Sequence, residues 1–256
     1  MYPTLIHIYG PLAIHSYGLM ILIGLLCYTW LVLNNPRREK LLTKEQLFTI
    51  LGYGIITGFV GGHLLYVLTE NRTLQALVTP VGFSILGSVI GVILFLHLYL
   101  RAQRIPELPF FDLITTYAPI IQAFGRIGCF LAGCCYGSPT TLPWAITYTN
   151  PEVEAPLCVA LHPSQLYSAV LLFGLTFLLA GVLQYRFKKP GQMLGMYLAL
   201  ISAERFFIDF FRYDHTALDS FCSSISPYQG VALLLFSFSL VLLWVVSRKK
   251  NHGAHS

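Results

Sequence analysis

The chain has 256 residues, 55% of them hydrophobic and only 11% charged, against roughly a quarter charged in ordinary soluble domains. That composition excludes a water-soluble enzyme, points to a polytopic membrane protein, and leaves no length for a large separate domain. The formal charge of +5 does not indicate a nucleic-acid partner, because the basic residues stand in short clusters beside apolar runs, where they set membrane topology.

In chain order the sequence predicts an all-α integral membrane protein, one domain over 1–256, with seven transmembrane helices at about 12–33, 46–69, 82–100, 111–131, 164–185, 191–208 and 228–247. The N-terminus lacks the basic region, short apolar core and small-residue cleavage site of a removable signal, so the first apolar run is expected to stay. Arg37, Arg38, Lys40 and Lys44 follow the first span and Arg101 and Arg104 the third; Arg186, Lys188 and Lys189 follow the fifth and Arg248, Lys249 and Lys250 the seventh. Twelve of the sixteen Lys and Arg thus lie on alternate connections, which predicts an outer N-terminus and a cytoplasmic C-terminus.

The four remaining arginines carry more information. Arg72, beside Glu70 in a short outer loop, reads as solvated. Arg126 lies near the outer end of span four in GRIGCFLAGCCYG (125–137), and Arg205 and Arg212 flank the outer end of span six in ERFFIDFFRYD. Three cations on the side where the topology rule disfavours them point to a working site, since a cation at membrane depth normally faces a partner or a wet cavity. The alternative for Arg126 is an anchor that ends a span and snorkels to the headgroups. The glycines of the stretch allow close approach of a second helix or of a ligand.

The segment 132–162 has no Lys or Arg but contains Pro139, Pro143, Trp144, Pro151 and Pro156. It reads as an irregular outer cap on the membrane surface, with Trp144 and Tyr148 at headgroup depth. LHPSQLY (161–167) then opens span five, and His162 and Gln165, three apart, are expected to share a helical face. The plainer reading makes His162 an interfacial histidine at a helix start.

The cysteines have two readings. Cys129, Cys134, Cys135 and Cys158, with His162, match a zinc site only weakly because no C-x-x-C repeats, so neither metal nor cofactor is expected. In an oxidising compartment, pairing among Cys134, Cys135, Cys158 and Cys222 is the more natural expectation, and Cys27 reads as a small core residue. Two arginines, a histidine, Tyr17 and Tyr66 in an apolar, glycine-rich surround suit a phospholipid headgroup, because arginine grips phosphate with paired charge-assisted bonds.

Taken together, HSYGLMILIG (15–24), GGHLLYVL (61–68), GRIGCFLAGCCYG (125–137), HPSQLY (162–167), RFFIDFFR (205–212) and SPYQG (226–230) resemble, in order and topology, the prolipoprotein diacylglyceryl transferase family. The resemblance implies transfer of the diacylglyceryl group of phosphatidylglycerol to the lipobox cysteine of a bacterial prelipoprotein signal peptide, with release of glycerol phosphate. The active site would face the outer leaflet of the cytoplasmic (inner) membrane, among membrane lipids. It further implies catalytic roles for Arg126, Arg212, Tyr17 and His162, and substrate binding by Arg126, Arg212, Gln165, Tyr66, Gly125, Gly128 and Gly137.

The departures are specific. Where the family has H-G-G-L in span three, this chain has LGSV (86–89), so its histidine is Leu86 and one glycine is Ser88. The asparagine after GRIG is Cys129, the acidic residue five further on is Cys134, and the arginine of G-x-R-L is His63. His162 is then the expected base, with Glu204 and Asp209 held ionised by Arg205 and Arg212. Two other readings are a related enzyme that uses the same headgroup pocket for another acceptor, and a non-catalytic lipid-binding or redox-responsive protein. A transporter is disfavoured because the chain has no internal repeat.

Overall fold

A computed structural model of the chain describes residues 2–9, 12–69, 83–212 and 226–248. The expectations for Glu70, Arg72, Cys222, Lys249 and Lys250 fall outside these residues. The chain folds as two compact units, Leu33–Phe110 and the remainder.

In the larger unit the chain opens with an antiparallel strand pair, β1 (Thr4–Tyr9) and β2 (Leu12–His15), where the sequence had suggested the first span already under way from 12. Helix α1 (Ser16–Leu33) follows directly, its start fixed by Ser16 N donating to Pro3 O at 2.9 Å. Helix α5 (Glu107–Ala132), 26 residues with Pro119 inside, is buried at Leu113, Thr116 and Ala123. It ends at Gly133, whose φ of +71° reverses the chain. The segment after it contains the short pair β3 (Ile146–Thr147) and β4 (Ala160–Leu161) and a small core of Tyr148, Ala155 and Leu161. Tyr148 is 2% exposed inside that core, where its hydroxyl accepts from Gln165 Nε2 at 3.1 Å.

Helix α6 (Ser164–Leu178) continues through a π-helical turn (Leu179–Leu183) into α7 (Gln184–Arg186). Helix α8 (Gln192–Asp209) begins at Gly191, φ +93°, and both oxygens of Asp112 accept from its first amides, Gly191 N at 2.7 Å and Leu194 N at 2.8 Å. A carboxylate at a helix N-terminus satisfies orphan donors and complements the dipole. Helix α9 (Pro227–Arg248) opens with a capping box: Gln229 N donates to Ser226 Oγ, and Ser226 N to Gln229 Oε1.

In the smaller unit, Asn35 caps the short helix α2 (Pro36–Leu41), which carries the basic cluster, and a Thr43–Gln46 capping box opens α3 (Lys44–Thr69). Helices α3 and α4 (Ile85–Ala102) meet through glycines: a Cβ on Gly87 would stand 2.3 Å from Gly61 O, and one on Gly91 2.5 Å from Thr57 O. Without a hydrophobic drive between helices in lipid, such backbone approach is how they associate.

Among the described residues, five helical runs are long and apolar enough to cross a bilayer: α1, α3, α4, Ser164–Arg186 and α9. They expose large apolar side chains such as Trp30, Phe59, Leu94, Phe177 and Leu234, as a lipid solvent permits. Helices α5 and α8, 26 and 18 residues long, carry Asp112, Arg126, Glu204, Arg205 and Asp209 and are correspondingly less apolar. The protein is an integral membrane protein.

Candidate active site

Arg126 is presented by the last third of α5, and the glycines beside it set how α1 lies. A Cβ on Gly128 would stand 3.1 Å from the Tyr17 ring and 3.2 Å from its Cα; one on Gly125 would stand 3.3 Å from Ile21. One turn back, Gly24 of α1 faces Phe124, with an added Cβ at 2.9 Å. Gly125 and Gly128 therefore bring α1 close, which places Tyr17, at the second residue of α1, beside Arg126 and the cysteines. Of the two uses that the sequence left open for these glycines, the structure displays the helix contact.

Beyond Gly133 the chain turns sharply. Cys135 takes φ +56°, a left-handed conformation that is rare for side chains larger than glycine and is found mainly in turns and at strained sites. The three carbonyls of the turn are tied down: Gly133 O accepts from Ala155 N at 3.0 Å, Cys134 O from Gln165 Nε2 at 2.9 Å, and Cys135 O from Ser164 Oγ at 3.2 Å. The Sγ atoms of Cys129, Cys134 and Cys135 consequently lie within 4.8 Å of one another. The expected pairing is not seen among the described cysteines, outside which Cys222 lies. Cys27, Cys129, Cys134, Cys135 and Cys158 are all free thiols, and Cys158 is exposed and outside the cluster. Hydrogen bonding from Cys129 and Cys134, together with the charges of Arg212 and Arg126, holds the Cys135 thiol well below the usual range. The Cys134 thiol is pushed up by its two sulfur neighbours and by burial.

Arg212 arrives from just beyond α8. Its backbone bridges Gly137, Ser138 N donates to Phe211 O at 2.9 Å, and Gly137 N donates to His162 O at 3.1 Å. A Cβ on Gly137 would stand 2.5 Å from His162 O and 2.7 Å from Phe211 O, so only glycine lets these three segments meet. The Arg212 side chain is buried, and the charges of Arg126 and Arg212 both reach Arg205. Their acidic neighbours are committed: Asp209 faces Arg205 at 3.9 Å and accepts from Ser226 Oγ, while Glu204 accepts from Ser168 Oγ. Arg205 also lies over the Tyr228 ring.

His162 and Gln165 do not share a helical face. His162 precedes α6, and its ring lies edge-on to Tyr167 and Phe211, with Nδ1 3.3 Å from Tyr167 Oη. It lines an apolar cavity of about 480 Å³ with Trp144, Tyr167, Val170, Phe207 and Phe211. Gln165, in the first turn of α6, is 1% exposed and turns to Cys134 O and Tyr148 Oη; its Oε1 makes no hydrogen bond. The Pro between the two residues puts His162 outside the helical period on which the shared face rested.

Gln165 is thus bonded to the cysteine turn and His162 lines an apolar cavity, while the charges of Arg126 and Arg212 reach both Cys135 and Arg205 and Tyr17 packs against Gly128. Tyr66 and His63 lie in α3 of the smaller unit, and Leu86, in α4, is 64% exposed. The sequence reading did not identify Ser164, Ser168 or Ser226 as the partners that hold Cys135, Glu204 and Asp209. The only sequence signal for them was the Ser-x-x-Gln pattern at 226–229.

The family model described as "Prolipoprotein diacylglyceryl transferase" matches residues 3–245. The phosphatidylglycerol–prolipoprotein diacylglyceryl transferase of Clostridium tetani is 34% identical over 219 residues, 84% of this chain and 86% of that protein. The phosphatidylglycerol–prolipoprotein diacylglyceryl transferase 2 of Clostridium perfringens is 35% identical over 248 residues, 94% and 93% of the two chains. That of Bordetella avium is 31% identical over 254 residues, 94% of each.

Proposed function

The chain belongs to the prolipoprotein diacylglyceryl transferase family, and we propose that it transfers the diacylglyceryl group of phosphatidylglycerol to the lipobox cysteine thiol of bacterial prelipoproteins, the first step of lipoprotein maturation. The observation that supports the site assignment is that the charges of Arg126 and Arg212 reach both Arg205 and Cys135 near the end of α5, where Tyr17 packs against Gly128. In the reaction, sulfur bonds to the terminal glycerol carbon of the diacylglycerol, the carbon–oxygen bond to phosphate breaks, and glycerol phosphate departs with the electron pair. Negative charge grows on the leaving phosphate, so fixed cations aimed at it lower the barrier. Arg126 and Arg212 hold that phosphate, and Tyr17 flanks it. The apolar cavity at His162 receives hydrocarbon from the lipid or the peptide, and His162 takes the thiol's proton. Membranes containing the protein, given phosphatidylglycerol labelled in its acyl chains and a lipobox peptide, are expected to yield labelled peptide. Label in another product, or none, would reject the reading.

The same proposal places seven spans in the cytoplasmic membrane, with the N-terminus, the 132–162 segment and the arginine cluster on the outer side. The alternate-connection charge bias motivates it. A cysteine probe at Ser138 is expected to label in intact cells and one at Asn35 to stay unlabelled; the reverse pattern would overturn the orientation.

A further inference from the structure

The turn after α5 is built in a way that phosphate clamping does not require. Three sulfurs from Cys129, Cys134 and Cys135 lie within 4.8 Å of one another, whereas a disulfide uses two and would strand the third. A tetrahedral zinc ion with Zn–S bonds of about 2.3 Å sets its sulfurs roughly 3.8 Å apart, within a rotamer adjustment of this triangle. The turn is also preorganised. Cys135 is held in the left-handed region, and the three carbonyls from Gly133 to Cys135 accept from Ala155 N, Gln165 Nε2 and Ser164 Oγ, so the ligand-bearing backbone is fixed from outside the sulfur cluster. A divalent ion bound by three thiolates carries one net negative charge, and Arg212 and Arg126 stand within electrostatic reach of Cys135 to balance it.

We infer that Cys129, Cys134 and Cys135 form a site for a thiophilic divalent cation of the zinc class, with its fourth coordination position open to the thiol of the acceptor peptide. Sites with three protein ligands keep such a position for water or substrate. This second half rests on the transfer reading given above. The peptide thiol would bind there as thiolate, its proton passing to His162 as in that reading. The sulfur then bonds to the glycerol carbon as the carbon–oxygen bond breaks, and the phosphate oxygen leaves with the electron pair toward Arg126 and Arg212. The metal changes neither charge nor oxidation state, and the thioether formed is a weaker ligand than a thiolate, which frees the product.

Reduced full-length protein in detergent, stripped with chelator and titrated with Cd(II) alone, is expected to develop a sulfur-to-metal charge-transfer band that saturates at one equivalent. Cys135→Ser should lose the band, and Gln165→Ala, which unpins the Cys134 carbonyl, should weaken binding by about 10–100-fold. Zn(II) should protect Cys129, Cys134 and Cys135 from alkylation while the exposed Cys158 still labels. With Co(II) bound, a lipobox peptide should shift the visible spectrum and its Cys→Ser counterpart should not. No band at one equivalent, or a band that survives in a variant with all three cysteines replaced by serine, would overturn the site. Full transfer by metal-free protein, or an unshifted Co(II) spectrum, would overturn the thiol-activating role. If the metal binds as described and neither form transfers, the site stands and the transfer reading fails.

Discussion

Arg212→Lys is expected to lose roughly tenfold to more than a hundredfold in kcat/KM with phosphatidylglycerol although the positive charge is kept. A guanidinium offers a planar pair of N–H donors to a phosphate, and an ammonium offers a point charge. Arg212 is 8% exposed, so its bonds act where water competes little. Losing one charge-assisted bond there costs about 1.5–3 kcal/mol, which sets the range given. Arg126→Lys should behave similarly. Arg205→Lys should cost less, because Arg205 already faces Asp209 and the Tyr228 ring. The backbone bridge from Arg212 to Gly137 does not depend on the side chain, so the lysine variant should fold. Near-normal kcat/KM for Arg212→Lys and Arg126→Lys would return both arginines to a structural role.

The sequence made the polar–apolar alternation legible, and with it the membrane class and the arginines that break the charge rule. Arg126, Arg205 and Arg212 stood out because a cation in hydrocarbon is expensive, and the charges of Arg126 and Arg212 both reach Arg205. What could not be read was where side chains point once regular periodicity ends. The 132–162 segment has no period, so nothing in its composition showed that Tyr148 is buried or that the carbonyls of Cys134 and Cys135 bind Gln165 and Ser164. The sulfur triangle depends on the positive φ of Gly133 and Cys135, and the second of these is a conformation that sequence would not assign to cysteine. Asp112 was hidden for another reason: it lies within an apolar run, and its partners, Gly191 N and Leu194 N, are backbone amides that leave no sequence signature.

His162→Gln carries the largest expected effect, a loss of about 10²–10⁴-fold in transfer rate, the usual contribution of a general base. The acceptor must react as thiolate, since a protonated sulfur is a poor nucleophile. Trp144 Nε1 donates to Tyr167 Oη at 2.7 Å, and His162 Nδ1 lies 3.3 Å from the same oxygen. If Nδ1–H donates there as well, the lone pair of Nε2 is left to accept a proton, and the edge contacts with Tyr167 and Phe211 fix the ring plane. Glutamine can keep a hydrogen bond to Tyr167 but cannot cycle a proton, so the variant separates a packing role from a basic one. The discriminating readout is the pH profile of kcat/KM. The wild-type protein should lose rate on acidification, because a protonated ring accepts nothing. The Gln variant should be slow and insensitive to acid. Equal rates for the two proteins from about pH 6 to 8 would remove His162 from the chemistry and leave arginine clamping of an already ionised thiol as the mechanism.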